Sequence, residues 1–362
     1  MFEVLEKYNS EITVGGNIVY DNRNLWMISV NNDMLLKFDL DNKMLIKEYP
    51  IPDKRVWYGH YKIAKLNNKI FILPFLGVNI YLFDIIDESI KKVTKESIEQ
   101  KEVYAIVEAI DKKIVAVEQS QGRIVEIDEA NNIVFIDDKL KRALRKQGIE
   151  DNVCFSEEYF LLKGKMFLIL KESGCFVVFD VMTYEVNVHK LTNNEKIYSV
   201  HGNEDYILFT TTKNSIIKWK DGYIIEQIDN DDFFDEQCAF LKPFCTNEVD
   251  YLFPWKKRCY YTIKEKQITK YNLDFAIRED SYPVDVYDQF QWIERHEDKT
   301  LIQSRINGDI FVIDNLTNEV DVIRLKVPDE KSVEIMKGLM SVKKYVLNED
   351  EVFSLNRFME LV

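Results

Sequence analysis

Residues 175–188, Cys-Phe-Val-Val-Phe-Asp-Val-Met-Thr-Tyr-Glu-Val-Asn-Val, constrain this chain more than any other feature, because the chain keeps rewriting them. Side chains alternate across an extended strand, so Phe176, Val178 and Asp180 fall on one side and Val177 and Phe179 on the other. Both sides stay apolar up to the Asp, as expected of a strand sandwiched between two layers. The Asp180 carboxylate, with Thr183 three residues on, is placed to accept from local backbone N–H groups and open a tight turn. Residues 185–189 then alternate polar and apolar as a return strand. The unit is a hairpin with a buried inner arm and a wetter outer arm.

Copies recur at 35–39 (Leu-Leu-Lys-Phe-Asp), 80–84 (Ile-Tyr-Leu-Phe-Asp), 124–128 (Ile-Val-Glu-Ile-Asp), 216–220 (Ile-Ile-Lys-Trp-Lys) and 310–314 (Ile-Phe-Val-Ile-Asp), with a further one at 259–263 that lacks the Asp. Each follows another apolar strand, at 25–30, 70–75, 114–119, 166–171, 206–211, 251–256 and 300–305, and successive starts lie 40 to 52 residues apart. Strand-only units repeating at that period are the signature of propeller blades. A sandwich would leave one face of most strands wet, whereas these inner strands are apolar on both sides. The expected fold is all-β: a seven-bladed β-propeller of four-stranded antiparallel blades at about 14–49, 61–93, 104–136, 154–190, 197–228, 239–271 and 290–325. The ring occupies 1–328, and 329–362 form a C-terminal helical extension packed on it. Within residues 1–12, Phe2, Val4 and Leu5 suit a strand that pairs with the outer edge of the last blade.

The longest step contains Lys139, Lys141, Arg142, Arg145 and Lys146 around Leu140, Ala143 and Leu144, with Gly148 as a stop, which predicts a short basic helix at about 139–147. Its cations suit an acidic partner; alternatively it is a solvated helix whose leucines cover a blade edge. After Pro328 the spacing turns helical, and Asn348 with Glu351 reads as a cap for a last helix through Val352, Leu355, Phe358 and Met359. With 62 acidic against 48 basic residues the net charge is −14, which argues against nucleic-acid and anionic-membrane partners. No window approaches the roughly 20 apolar residues that span a bilayer. The opening residues carry acids where a secretory signal carries bases, so a cytoplasmic location is expected. The scattered Cys154, Cys175, Cys238, Cys245 and Cys259 fit free thiols in a reducing compartment.

The chemistry-bearing motifs are sparse. No Gly-rich phosphate loop, no Gly-x-Ser-x-Gly elbow and no His-Glu-x-x-His occurs, and His60, His189, His201 and His296 sit in different blades without ligand spacing. The acidic run 229–236 lacks the Gly and the terminal Glu at the spacing a calcium loop requires. No cofactor, no metal site and no catalytic residue is therefore assigned. The better candidates lie in connections that lead into each blade's innermost strand and crowd one end of the channel. Arg55, Trp57, Tyr58 and His60 form one group; Gln291, Trp292, Glu294 and Arg295 form its counterpart in blade seven, separated from it only by blade one. Aromatics with a few charges supply interface hot spots and also suit polar ligands such as sugars, while Trp57 and Trp292 equally suit wedges between blades.

The repeated aliphatic-x-Phe-Asp hairpin resembles the third strand of tryptophan-aspartate repeats and of kelch-type repeats, and Gly59-His60 ahead of Phe83-Asp84 echoes the Gly-His to Trp-Asp spacing of the former. The likeness spans nearly the whole chain and implies the propeller architecture, with no specific family assigned: the Gly-His is not repeated and no intact Trp-Asp occurs. The expected function is a non-catalytic protein-interaction scaffold using one face of the propeller. The alternatives are a binder of carbohydrate or another polar small ligand at the channel, or an enzyme using channel carboxylates, which would need a carboxylate or histidine of perturbed pKa at the axis.

Overall fold

The computed structural model describes residues 14–323, apart from 22, 30–33, 40, 53–59, 75–78, 94–103, 121, 131, 137–138, 150–153, 193–194, 230–238, 256–258, 265–266, 273–289, 297–298, 305–309 and 318. Its strands form seven four-stranded antiparallel sheets, each built from four consecutive strands, at 14–50, 60–92, 104–136, 155–190, 197–228, 239–272 and 290–323. These are the blades of a β-propeller. First strands of blades 1 to 6 contact one another in order, that of blade 7 (Phe290–His296) packs on that of blade 1 (Val14–Asp21), and blades 6 and 7 share an apolar cluster, so the ring closes blade to blade. The strand expected in residues 1–12, and the helices expected in 329–362, fall outside the described residues.

Alternation accounts for this stacking. Each blade buries one set of side chains against the blade before it and the other set against the blade after. In blade 4, Phe176 and Val178 enter a cluster with Val200 and Phe209 of blade 5, whereas Val177 and Phe179 enter one with Val115 and Ile124 of blade 3. Blade 1 divides likewise: Leu25 and Met27 meet Leu301 and Ile310 of blade 7, while Trp26 and Ile28 meet Ile70 and Phe83 of blade 2. Three further clusters fill the remaining seams. Burying one such side chain contributes roughly 1.5–3 kcal/mol, so an isolated hairpin, wet on both faces, has little reason to persist.

The turn Asp behaves as its spacing predicts. Asp180 Oδ1 accepts from the N–H groups of Met182 and Thr183, each at 2.9 Å, and Asp314 does the same for Leu316 and Thr317 at 2.9 and 3.0 Å. Asp39 and Asp84 repeat the pattern. Blades 5 and 6, whose third strands lack the Asp, close differently: Lys220 pairs directly with Tyr223 across a two-residue turn, and Lys264 pairs with Gln267. In blade 5 the turn is Asp221-Gly222, both at positive φ (47° and 98°), the mirror-image geometry that matches strand twist.

Helix α1 (Lys139–Lys146) lies between blades 3 and 4. Leu140 and Leu144 are buried in the cluster shared by those blades, so the leucines do cover a seam, and the basic residues ride on the outside. Cys154, Cys175, Cys245 and Cys259 form no disulfide among the described residues.

Candidate functional site

Every first strand carries a register shift near its start. In blade 2, His60 pairs with Pro74 but Lys62 with Leu73; in blade 5, Ile197 pairs with Thr211 but Ser199 with Thr210. Blades 1, 3, 4, 6 and 7 repeat the irregularity. Such a bulge inserts one extra residue, two in blades 1 and 4, and re-aims the side chains beyond it. Lys62 in blade 2, Ser199 in blade 5 and Trp292 in blade 7 occupy equivalent register positions, and Glu158 lies within the bulge of blade 4.

Described side chains at and near these bulges form a charged network that joins blades 2 to 6. Glu158 Oε1 meets Lys242 Nζ of blade 6 at 2.9 Å, although blade 5 stands between them, and its Oε2 accepts from Ser199 Oγ of blade 5 at 2.8 Å. The Glu158 and Lys242 side chains keep 24% and 20% of their exposure. On the other side, Tyr159 OH donates to Glu108 Oε1 of blade 3 at 2.6 Å, with Val107 O 3.1 Å away. Lys62 lies within electrostatic reach of Glu157, Glu158, Glu108 and Lys242. Blades 2 to 6 thus each supply members of one network.

Burial and charge divide these groups. Burial pulls the Lys62 ammonium below the usual lysine range against the attraction of the surrounding glutamates. Burial likewise lifts the Glu108 carboxyl, despite the hydrogen bond from Tyr159 and the charge of Lys62. For Glu158 burial also pushes upward, but the charge and hydrogen bond of Lys242 and the Ser199 hydroxyl outweigh it, and the carboxyl ends below its ordinary range. His201, ringed by Phe160 and Phe244 at centroid distances of 4.4 and 4.6 Å, is held neutral by burial, its pKa lowered to about 3. Its Nδ1 accepts from the Cys245 N–H at 3.0 Å.

Among the sequence candidates, Arg55, Trp57 and Tyr58 fall outside the described residues. His60 opens the first strand of blade 2. Gln291, Trp292, Glu294 and Arg295 belong to the first strand of blade 7 itself, not to a connection before it, because this run pairs continuously with Lys299–Ser304 across one bulge. In register, the blade 7 counterparts of 55–58 lie earlier than 291. The first strands that begin at His60 and Phe290 do flank that of blade 1. Sequence reasoning missed Lys62, Glu108, Glu158, Tyr159, Ser199 and Lys242. The available signal, for two of them, was a lone charge inside an otherwise apolar first strand: Glu108 in Tyr104–Ile110 and Lys242 in Ala239–Cys245.

Seven four-stranded sheets closed into a ring define a seven-bladed β-propeller. No family model and no curated sequence matches the chain. Solved structures share the architecture at low identity. A catalytically inactive virginiamycin B lyase from Staphylococcus aureus with quinupristin superposes with a TM-score of 0.62 at 13% identity, covering 83% of this chain and 94% of that one. YCF48 bound to D1 peptide gives 0.63 at 10% identity, covering 84% and 91%, and BamB from Moraxella catarrhalis 0.53 at 12%, covering 83% and 82%. These likenesses establish the fold alone. Among the described residues no group of His, Cys, Asp and Glu is arranged to hold a metal, and no helix is long and apolar enough to cross a membrane.

Proposed function

We propose that this chain is a non-catalytic protein-interaction scaffold that presents the channel face of its propeller to a partner protein. The observation that carries the reading is the fate of the axial charges: Glu158 is spent on Lys242 and Ser199, and Glu108 on Tyr159. Groups held in mutual pairs brace the blades and leave recognition to other residues of that face, for which Arg55, Trp57 and Tyr58, just before the first strand of blade 2 in sequence, are the candidates. A propeller of this architecture has been solved with a peptide bound, which gives the mode of action a precedent in the fold.

The second reading, an enzyme using channel carboxylates, draws on Glu108, whose carboxyl is raised by burial beside Lys62. Structural networks perturb pKa values in the same way, and Glu108 already has its donor in Tyr159. A carbohydrate-binding channel stands third. Affinity capture from the source cell, with the wild type beside Trp57→Ala/Trp292→Ala, separates interface from packing. The scaffold reading expects a defined protein partner, lost in the double variant, with the melting temperature within about 2 °C of wild type. A fall of about 10 °C or more assigns the two tryptophans to the core instead.

A further inference from the structure

We infer a second interaction surface on the outer rim: the groove between helix α1 and the fourth strand of blade 4 (Val186–Lys190) takes an extended acidic segment of a partner protein. It is separate from the channel face and does not depend on it. The groove encloses about 490 Å³, ample for several residues of a peptide chain. Lys139, Arg142 and Lys146 line one wall, and the strand residues from Val186 to His189 line the other.

Three observations point to the occupant. First, among the described residues no acidic side chain lines the groove, in a chain where acids outnumber bases by 62 to 48. Some exposed lysines elsewhere do find carboxylates, as Lys47 does with Glu88 and Lys163 with Glu204. Arg142 and Lys146 are exposed and form no ion pair among the described residues, while Lys139 rests over the Tyr184 ring at 4.7 Å. Second, the opposite wall is the outer edge of its sheet, with no further strand paired to it among the described residues. Hydrogen bonds from Asp180 N–H to Glu185 O and from Leu191 N–H to Gly174 O fix the alternation of this hairpin, so the N–H and C=O of Val186 and Val188 point away from the blade. Such an edge accepts an added strand. Third, the spacings match. The three cations step along the helix by about 4.5 and 6 Å, and every second residue of a strand by about 6.7 Å. A peptide with carboxylates on alternate residues would face the cations while its backbone runs along the strand. Buried Leu140 and Leu144 hold the helix in place without using its charged side.

The test uses the full chain and a fluorescein-labelled eight-residue peptide alternating glutamate and valine, followed by fluorescence anisotropy. The inference expects saturable binding that weakens about tenfold or more when glutamine replaces every glutamate, and equally in Arg142→Glu/Lys146→Glu. Arg142→Gln/Lys146→Gln provides the milder variant should charge reversal disturb folding, and Lys163→Glu, on the exposed rim elsewhere, leaves binding unchanged. Absence of binding, or binding indifferent to both groove variants, overturns the inference. So does equal competition by inorganic polyphosphate, which would mark a general anion surface rather than a peptide groove. Partner capture through the channel face, tested by the tryptophan variants, is untouched by any of these results.

Discussion

Glu108 and Glu158 stand in neighbouring blades, yet their titrations carry opposite signs, and this makes a prediction at the scale of single residues. Glu108 is raised above its ordinary value of 4.5, so its contribution to stability is complete below that pH and is lost as pH rises through the folded pKa. Glu158 is lowered, so its contribution is present above that pH and is lost as pH falls through the folded pKa. Glu108→Gln keeps an acceptor for Tyr159 and removes the buried charge; it should match or exceed wild-type stability at pH 7. Glu158→Gln should lower it there, because Lys242 then loses its carboxylate. Denaturant midpoints at pH 4 and pH 7 decide the matter, and a shift of both variants in the same direction would refute the assignment. Sequence alone does not assign either role: Glu108 is the one carboxylate of its strand and Glu158 stands beside Glu157, and each is given meaning only by side chains that other blades bring to it.

At the scale of the hairpin, far more was legible. The Asp180 reading rested on a side chain short enough to reach the backbone two and three residues on, a local matter that tertiary context seldom overrides. The carboxylate accepts two N–H bonds and is held below the usual range, by Thr183 first. Asp180→Ala should cost about 1–2 kcal/mol, at the low end for a charged acceptor because the turn is solvated, and Asp180→Asn about half as much. Urea unfolding reads both, and equal losses would point to the turn's backbone rather than to the carboxylate. Blade 5, without the Asp, shows what a sequence reader could not foresee, since a two-residue turn and a four-residue turn serve the same hairpin. The blade 7 candidates were misplaced for a related reason. Gln291 is the residue that the bulge inserts, and an extra residue in a strand reads, without its partner, as a connection.

For the whole molecule, the repeat specified the ring because one unit cannot bury both faces alone, and seven seams each acquire their own apolar cluster. What periodicity could not reveal is the axis. Residues that meet there come one or two to a blade, and their meeting depends on closure rather than on any local pattern. Polar clips at the rim repeat the theme: Lys65 of blade 2 reaches Asp21 of blade 1 at 2.8 Å, and Tyr206 of blade 5 reaches Asp250 of blade 6 at 2.6 Å. The contact between Glu158 and Lys242 is of another kind, for it joins blades that are not neighbours and exists only if first strands converge on a common centre. A double-mutant cycle with Glu158→Gln and Lys242→Met, read by equilibrium unfolding at pH 7, tests that convergence most directly. Convergence predicts a coupling of about 1–3 kcal/mol, and additive losses within about 0.3 kcal/mol would place the two side chains apart and contradict it.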